Sequence, residues 1–284
     1  MISFARLSHQ GWLGNQLFQY AFLRTSARRL GVRFFCPAWQ GDRIFALKDE
    51  DERAREPIGT VRSYVEPYAN LGFNPDALTI ADGTALSGYF QSERYYADIG
   101  EVRRWYTFRD EITARVRARY AHLDFSRGAS LHLRFGNMKH LDYCYLPCID
   151  YYRRALAEVK RNETIFVFSD EPEEARKVLR ELDGNFFVVE GNEDVEDLYM
   201  ISRCRDHISG LSTFGWWGVW LDPRPHKIVV VPREGSHRPG YGRTARNFWP
   251  DGWRQLPALR GFRDDYRIRL AQQKLRRKLT RPAR

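Results

Sequence analysis

Three short stretches of this 284-residue chain carry side chains suited to holding a diphosphate. In SLHLRF, residues 130–135, His132 and Arg134 alternate at the end of an apolar run. The planar, permanently charged guanidinium of Arg134 offers a fork to a phosphate, although a surface ion pair would use the same residue. In TIFVFSDE, residues 164–171, Asp170 and Glu171 follow an apolar run. A carboxylate there can accept two N–H bonds from a guanine edge, or it can simply cap the helix that Pro172 opens. In HISGLSTFGWWGVWL, residues 207–221, Ser212 and Thr213 lead straight into an aromatic helix. Hydroxyls ahead of unpaired backbone N–H groups form an anion site that needs no metal. The alternative is a plain N-cap before a helix whose tryptophans, Trp216, Trp217 and Trp220, fill the core. An arginine, a carboxylate and a hydroxyl-bearing helix start at three strand ends together fit a nucleotide diphosphate.

Other chemistry is set aside. No GxxxxGK[ST] occurs, and no GxGxxG follows a strand, so kinase and dinucleotide readings lapse. Asp49 and Asp51 form a DxD, but inside the charge run KDEDERARE, which reads as a solvated loop. Cys144 and Cys148 stand near His140 and Asp142, and the proline between them opposes convergence on a metal.

The elements that must position these groups alternate strand and helix. Ile2–Arg6 reads as a strand, Gln16–Leu30 as a helix stopped at Gly31, and Val32–Cys36 as a second strand. Residues 42–67, charged and broken by prolines, receive no assignment. LSGYF, from Leu86, reads as a strand and SERYYADIGEVRRWY, from Ser92, as a helix. A second helix carries Ile112, Val116, Tyr120 and Leu123. From Ser130 the alternation is regular as far as KIVVVP at 227–232, the pattern of a parallel α/β sheet. The chain thus reads as two α/β domains meeting near residues 124–129. In such sheets the ligand lies beyond the carboxyl ends of the strands, where the three stretches fall.

Composition narrows the class further. With 43% hydrophobic, 14% aromatic and 29% charged residues and a mean hydropathy of -0.57, neither a disordered nor a membrane-embedded chain fits. Cys36, Cys144, Cys148 and Cys204 form no CxxC pair, and reduced thiols are expected. The start has no basic segment followed by an apolar run, and no 18-residue apolar stretch occurs, so a cytoplasmic location is expected. Of the net charge of +10, eight positive charges lie in residues 267–284, leaving the body nearly neutral.

GWLGNQLFQYAF from Gly11, LSGYFQSERYY, HLRFGN from His132, FVFSDE, and above all DLYMISRCRDHISGLSTFGWWGVWL from Asp197 resemble, in order, the signature segments of glycosyltransferase family 11, the α-1,2-fucosyltransferases. The resemblance runs over residues 10–253. It implies a GT-B type α/β fold of two Rossmann-like domains facing a cleft: 1–126 on the acceptor side, 127–266 binding the GDP-sugar donor, and 267–284 as a basic tail. It implies transfer of L-fucose from GDP-β-L-fucose to a galactoside of a surface glycan, with inversion, through an α-1,2 linkage, without cofactor or obligatory metal.

The family's HxRRGD lands on His132, Leu133, Arg134, Phe135, Gly136 and Asn137, so the second arginine and the aspartate are missing. By resemblance Arg134 meets the donor diphosphate and is catalytic, His132 belongs to the donor site, and Ser212, Thr213 and Phe214 form the diphosphate turn. Ser169, Asp170 and Glu171 match SDD, which makes Asp170 the expected guanine reader. GGLGNQ appears as Gly11–Gln16 with Trp12 in place of a glycine, a bulk expected to reshape the acceptor cleft. Gly14, Asn15 and Gln16 fall on the acceptor loop, where Asn15, counted with Arg134 as catalytic, and Gln16 orient a substrate by hydrogen bonds. For a general base the candidates are Glu93, His140 and Asp142.

Three other readings stand beside this one: a transferase for another GDP-sugar, a donor-binding but inactive relative because of Phe135 and Asn137, and a nucleic-acid binder. The last is discounted because the charge is confined to the tail and no nucleic-acid motif is present. In RIRLAQQKLRRKL, Ile268, Ala271, Leu275 and Leu279 share a helical face. That pattern suits peripheral contact with an anionic membrane at its inner face, with solvated disorder as the alternative.

Overall fold

The computed structural model describes residues 1–57, 59, 61–67, 72–136, 146–234 and 247–258. The tail, Asn137, His140, Asp142 and Cys144 lie outside the described residues. The described residues form two parallel sheets. The first holds β1 (Ile2–Ser3), β2 (Phe34–Phe35), β3 (Arg62–Val65) and β4 (Thr84–Ser87) in the order β2-β1-β4-β3. The second holds β5 (Ala129–Leu133), β6 (Ile165–Ser169), β7 (Phe186–Val188), β8 (Asp206–Ser209), β9 (Val229–Pro232) and β10 (Arg254–Leu256) in the order β10-β9-β8-β5-β6-β7. β5 and β9 are buried along their whole length, as strands covered by helices on both faces must be.

Among the described residues eight α-helices connect them: α1 (Leu13–Leu30), α2 (Gly41–Ile44), α3 (Ile99–Trp105), α4 (Asp110–Arg119), α5 (Ile149–Glu158), α6 (Pro172–Leu179), α7 (Asp194–Arg203) and α8 (Thr213–Trp220). α1 ends where Gly31 turns left-handed at φ 66°, as its sequence predicts. It begins at Leu13, a turn before the predicted start. The predicted single helix over 92–106 is two elements. Ser92 caps a 3₁₀ turn over Glu93–Tyr95, and Asp98 accepts the Glu101 N–H at 2.9 Å to start α3 afresh. The unassigned stretch contains β3 and all of α2 but its first residue, and β10 is a strand that periodicity does not reveal.

The charge run expected to be a solvated loop docks on α1 instead. Asp49 is buried and accepts the Tyr20 hydroxyl at 2.9 Å, while Glu52 takes Arg24 at 2.6 Å and Arg28 at 2.9 Å. Arg24, itself buried, needs that carboxylate, which is why acids spaced along the run fold inward.

The largest apolar core is shared by the two sheets. It joins β1, α1, α3 and α4 to α7, α8 and one face of the second sheet. Phe18 of α1 lies 4.5 Å from Trp216 and 4.9 Å from Trp217 of α8, ring centre to ring centre. α8 is apolar on every side and buried from Gly215 to Trp220, so it forms the axle between the halves.

Candidate active site

Each sheet reverses its strand order once, between β5 and β8 in the second and between β1 and β4 in the first. A parallel sheet opens a crevice at such a point, beyond the carboxyl ends of the two strands, because the connections leave in opposite directions. Arg134 is the first residue past β5, and Ser212 to Phe214 follow the end of β8 and open α8. The fold therefore brings together two of the three stretches that sequence singles out at one crevice.

The third joins them through Arg134. From the end of β6, Asp170 places Oδ2 3.2 Å from the Arg134 guanidinium, and its Oδ1 accepts the Phe135 N–H at 2.9 Å. Asp170 does not cap α6; Glu171 stands at the N-cap, with its own N–H bonded to Ser169 Oγ at 3.1 Å. A side chain at Gly136 would run into Asp170, so the glycine keeps the contact open. Arg134 is held from one side and keeps 34% of its side-chain surface exposed for a ligand.

Beneath these groups lies His132. It is buried, its ring stands 5.6 Å from that of Phe214, and its Nδ1 has no hydrogen-bond partner among the described residues. Burial, and next the charge of Arg134, lower its pKa to about 4, so the imidazole is neutral at pH 7. A β-carbon at Gly215 would come within 2.6 Å of His132 Nδ1 and 2.5 Å of Ser209 Oγ. Only glycine lets the first turn of α8 close onto β5 and β8. Ser212 caps that turn, its Oγ accepting the Gly215 N–H at 3.4 Å. The N–H groups of Thr213 and Phe214 find no acceptor among the described residues, and no acidic residue sits in the first turn. The helix start thus presents partial positive charge beside Arg134.

Glu93 is placed elsewhere. Its carboxylate accepts Trp220 Nε1–H at 2.7 Å, at the far end of α8, about 10 Å along the helix from Thr213. Arg103 stacks on the same indole at 4.6 Å and donates to the Trp220 carbonyl. Glu93 ties the halves together there.

A Ser-His-Asp array also exists, with Ser130 Oγ 2.8 Å from His207 Nδ1 and His207 Nε2 3.1 Å from Asp222. All three side chains are sealed from solvent, which rules out attack on a substrate. Burial alone would raise the Asp222 carboxyl, but hydrogen bonds from His207 and Arg224 bring it down to about 2. The array fastens β5, β8 and the segment after α8 together.

At the first crevice, Asn15 Oδ1 accepts Gln91 Nε2–H at 2.8 Å. Gln16 turns away to bond the carbonyls of Gly11 at 3.1 Å and Ser8 at 3.4 Å, so it shapes the loop before α1. Gln91 is a residue that motif reading passes over, although its place directly after LSGYF, whose strand β4 ends at Ser87 rather than running to Phe90, is the signal that finds it. The two crevices meet at Gly14, whose carbonyl accepts Trp217 Nε1–H at 3.0 Å and whose α-carbon lies against Thr213 and Phe214.

Two switch-point crevices, one lined by an arginine and by a helix start with two free N–H groups among the described residues, define an α/β protein of the kind that can hold an anion beyond its strand ends. The sequence profile of glycosyl transferase family 11 matches residues 4–238, and the chain belongs to that family. It is a glycosyltransferase, as its resemblance implied. Among curated relatives it is 25% identical over 280 residues to the O-antigen biosynthesis glycosyltransferase WbnK of Escherichia coli, covering 79% of this chain and 92% of that protein. It is 29% identical over 155 residues to an alpha-1,2-colitosyltransferase of Escherichia coli, covering 51% of this chain and 53% of that one. In fold it matches NodZ alpha-1,6-fucosyltransferase from Bradyrhizobium, co-crystallized with GDP, at a TM-score of 0.51 and 16% identity, over 78% of this chain and 92% of NodZ. Among the described residues no helix is long and apolar enough to cross a membrane.

Proposed function

We propose that this glycosyltransferase moves L-fucose from GDP-β-L-fucose to a galactoside hydroxyl with inversion, forming an α-1,2 linkage on a surface glycan. On this reading the chain has the GT-B arrangement, with the donor in the crevice of the second sheet and the acceptor on the side of the first. The observation that carries the reading is Arg134 and the α8 start flanking one switch point, a guanidinium and a partially positive helix end at adjacent strand ends.

Departure of fucose builds negative charge on the GDP diphosphate while the sugar becomes oxocarbenium-like. Preorganised positive charge is then the largest source of rate, and Arg134 with the Thr213 and Phe214 N–H groups supplies it without a metal. Asp170 holds the guanidinium in place. Asn15 carries no proton; it hydrogen-bonds substrate. Ser212 shapes the helix start, and with Asp170 engaged as the clamp, Glu171 reads the base of the nucleotide. The acceptor proton goes to a base among Asp142, His140 or solvent, with Glu93 committed to Trp220. The basic tail, 267–284, attaches the enzyme to anionic membrane, which liposome binding of full-length protein against a 1–266 truncation tests.

The likeness to an alpha-1,2-colitosyltransferase favours a second reading, in which the same site takes a colitosyl donor. A GDP-release assay with GDP-fucose and a panel of galactosides, run with EDTA and with magnesium, separates the cases. Release that requires an acceptor and survives EDTA supports metal-free fucosyl transfer. Calorimetric GDP binding without release from GDP-fucose moves the reading to another donor sugar.

A further inference from the structure

The crevice of the first sheet holds groups that donor binding leaves without a task. Loops leave β1 and β4 there, the first carrying Trp12 and the second Gln91. Trp12 is 68% exposed, the one exposed large aromatic among the described residues.

Its loop is nonetheless pinned. Gln16 bonds the carbonyls on both sides of the turn, and Gln19 Nε2 donates to Gln10 O at 2.9 Å and Gly88 O at 3.0 Å. Both glutamines are buried. Gly11 adopts φ +88° against Asn15, and the Trp12 carbonyl accepts the Asn15 and Gln16 N–H groups at 2.9 and 3.1 Å.

The second loop is held under strain. The buried Glu66 carboxylate accepts the N–H groups of Tyr89 at 2.7 Å and Phe90 at 2.9 Å, and Phe90 sits at φ +51°. Such a conformation costs a bulky residue about 1–3 kcal/mol and persists only when its surroundings fix it. It aims Gln91 at Asn15. Their mutual bond leaves Gln91 Oε1 and Asn15 Nδ2, an acceptor and a donor, without partners among the described residues. Strain, buried glutamines and a left-handed glycine all serve to present one exposed indole and one amide pair. Gly14, on the same turn, touches Thr213 of the donor crevice.

We propose that Trp12 is the stacking platform for a pyranose ring of the acceptor, with the Asn15–Gln91 amide pair hydrogen-bonding that ring's hydroxyls. The indole face is electron-rich and the C–H face of a pyranose bears partial positive charge, so the two surfaces attract while water leaves both. The platform then sets which acceptor ring this chain takes. The proposal rests on the glycosyltransferase reading of the donor crevice.

Saturation-transfer NMR with lactose as probe, on full-length protein saturated with GDP and checked by calorimetry, tests it. Wild type and Trp12→Phe transfer magnetisation to the C–H face of one lactose ring. Trp12→Ala and Gln91→Ala each weaken lactose binding about tenfold and leave GDP affinity and melting temperature unchanged. Equal lactose binding by wild type and Trp12→Ala overturns the platform, as does GDP-bound wild type that shows no transfer to lactose. A wild type that fails to bind GDP overturns the donor reading itself, a separate result.

Discussion

Gly14, near the start of α1, lies so close to Thr213, at the start of α8, that a β-carbon on the glycine would stand 2.6 Å from the Thr213 carbonyl carbon and 2.7 Å from its hydroxyl oxygen. Two helix N-termini from two different sheets meet at this point. Replacing Gly14 by alanine forces them apart. The expected cost is about 1–3 kcal/mol of overpacking, together with lower turnover because both crevices shift. Thermal melting and GDP release on the same preparation check this; an unchanged melting temperature would count against the close approach.

Arg134→Ala removes the fixed cation from the diphosphate crevice. Turnover should fall about 10²–10³-fold with the circular dichroism spectrum intact. An acceptor-dependent GDP-release rate equal to wild type would remove Arg134 from the mechanism.

Asp170 allows two outcomes to be told apart. As the clamp on Arg134 and the Phe135 N–H, its replacement by asparagine keeps an acceptor for Phe135 but loosens the guanidinium. Turnover should then drop about 10–100-fold while the preference for GDP over ADP persists. A guanine reader would lose that preference instead, and competition binding of the two nucleotides decides.

His132 predicts an acid limb in stability. Its folded pKa of about 4 lies below that of an exposed imidazole, so the folded state binds fewer protons than the unfolded chain between the two values. The stability it permits is complete above pH 6.5 and is lost as pH falls toward 4, by up to about 1.4 kcal/mol per pH unit. His132→Gln should show a shallower fall in melting temperature over that window. Parallel curves would mean that the imidazole is not held neutral.

Glu93→Gln tests whether that carboxylate carries the acceptor proton. Bonded to Trp220 at the far end of α8, it should be replaceable with turnover kept to within about threefold, against the 10²–10⁴ expected for a general base.

The second half of the fold is legible in the sequence because strands buried on both faces must be continuous apolar runs, and their punctuation by helices is regular. The family is legible from the same segments. The first half is not, since its strands are two to four residues long and one of them, β3, is largely exposed. Asp49 and Glu52 mislead for a related reason: a charge run reads as solvated unless one knows that Arg24 is buried beneath it.

What the sequence determined by itself is local: which residue types sit at strand ends, where Gly31 stops α1, and that Ser212 caps an apolar helix. Which strands are neighbours was decided by tertiary structure alone. Residue order cannot disclose that β8 lies beside β5, because parallel pairing is set by crossover connections and by burial on both faces. That pairing puts Arg134 beside the α8 start, turns Asp170 from a helix cap into a clamp, carries Glu93 away to Trp220, and sets Trp12 and Gln91 at a crevice of their own.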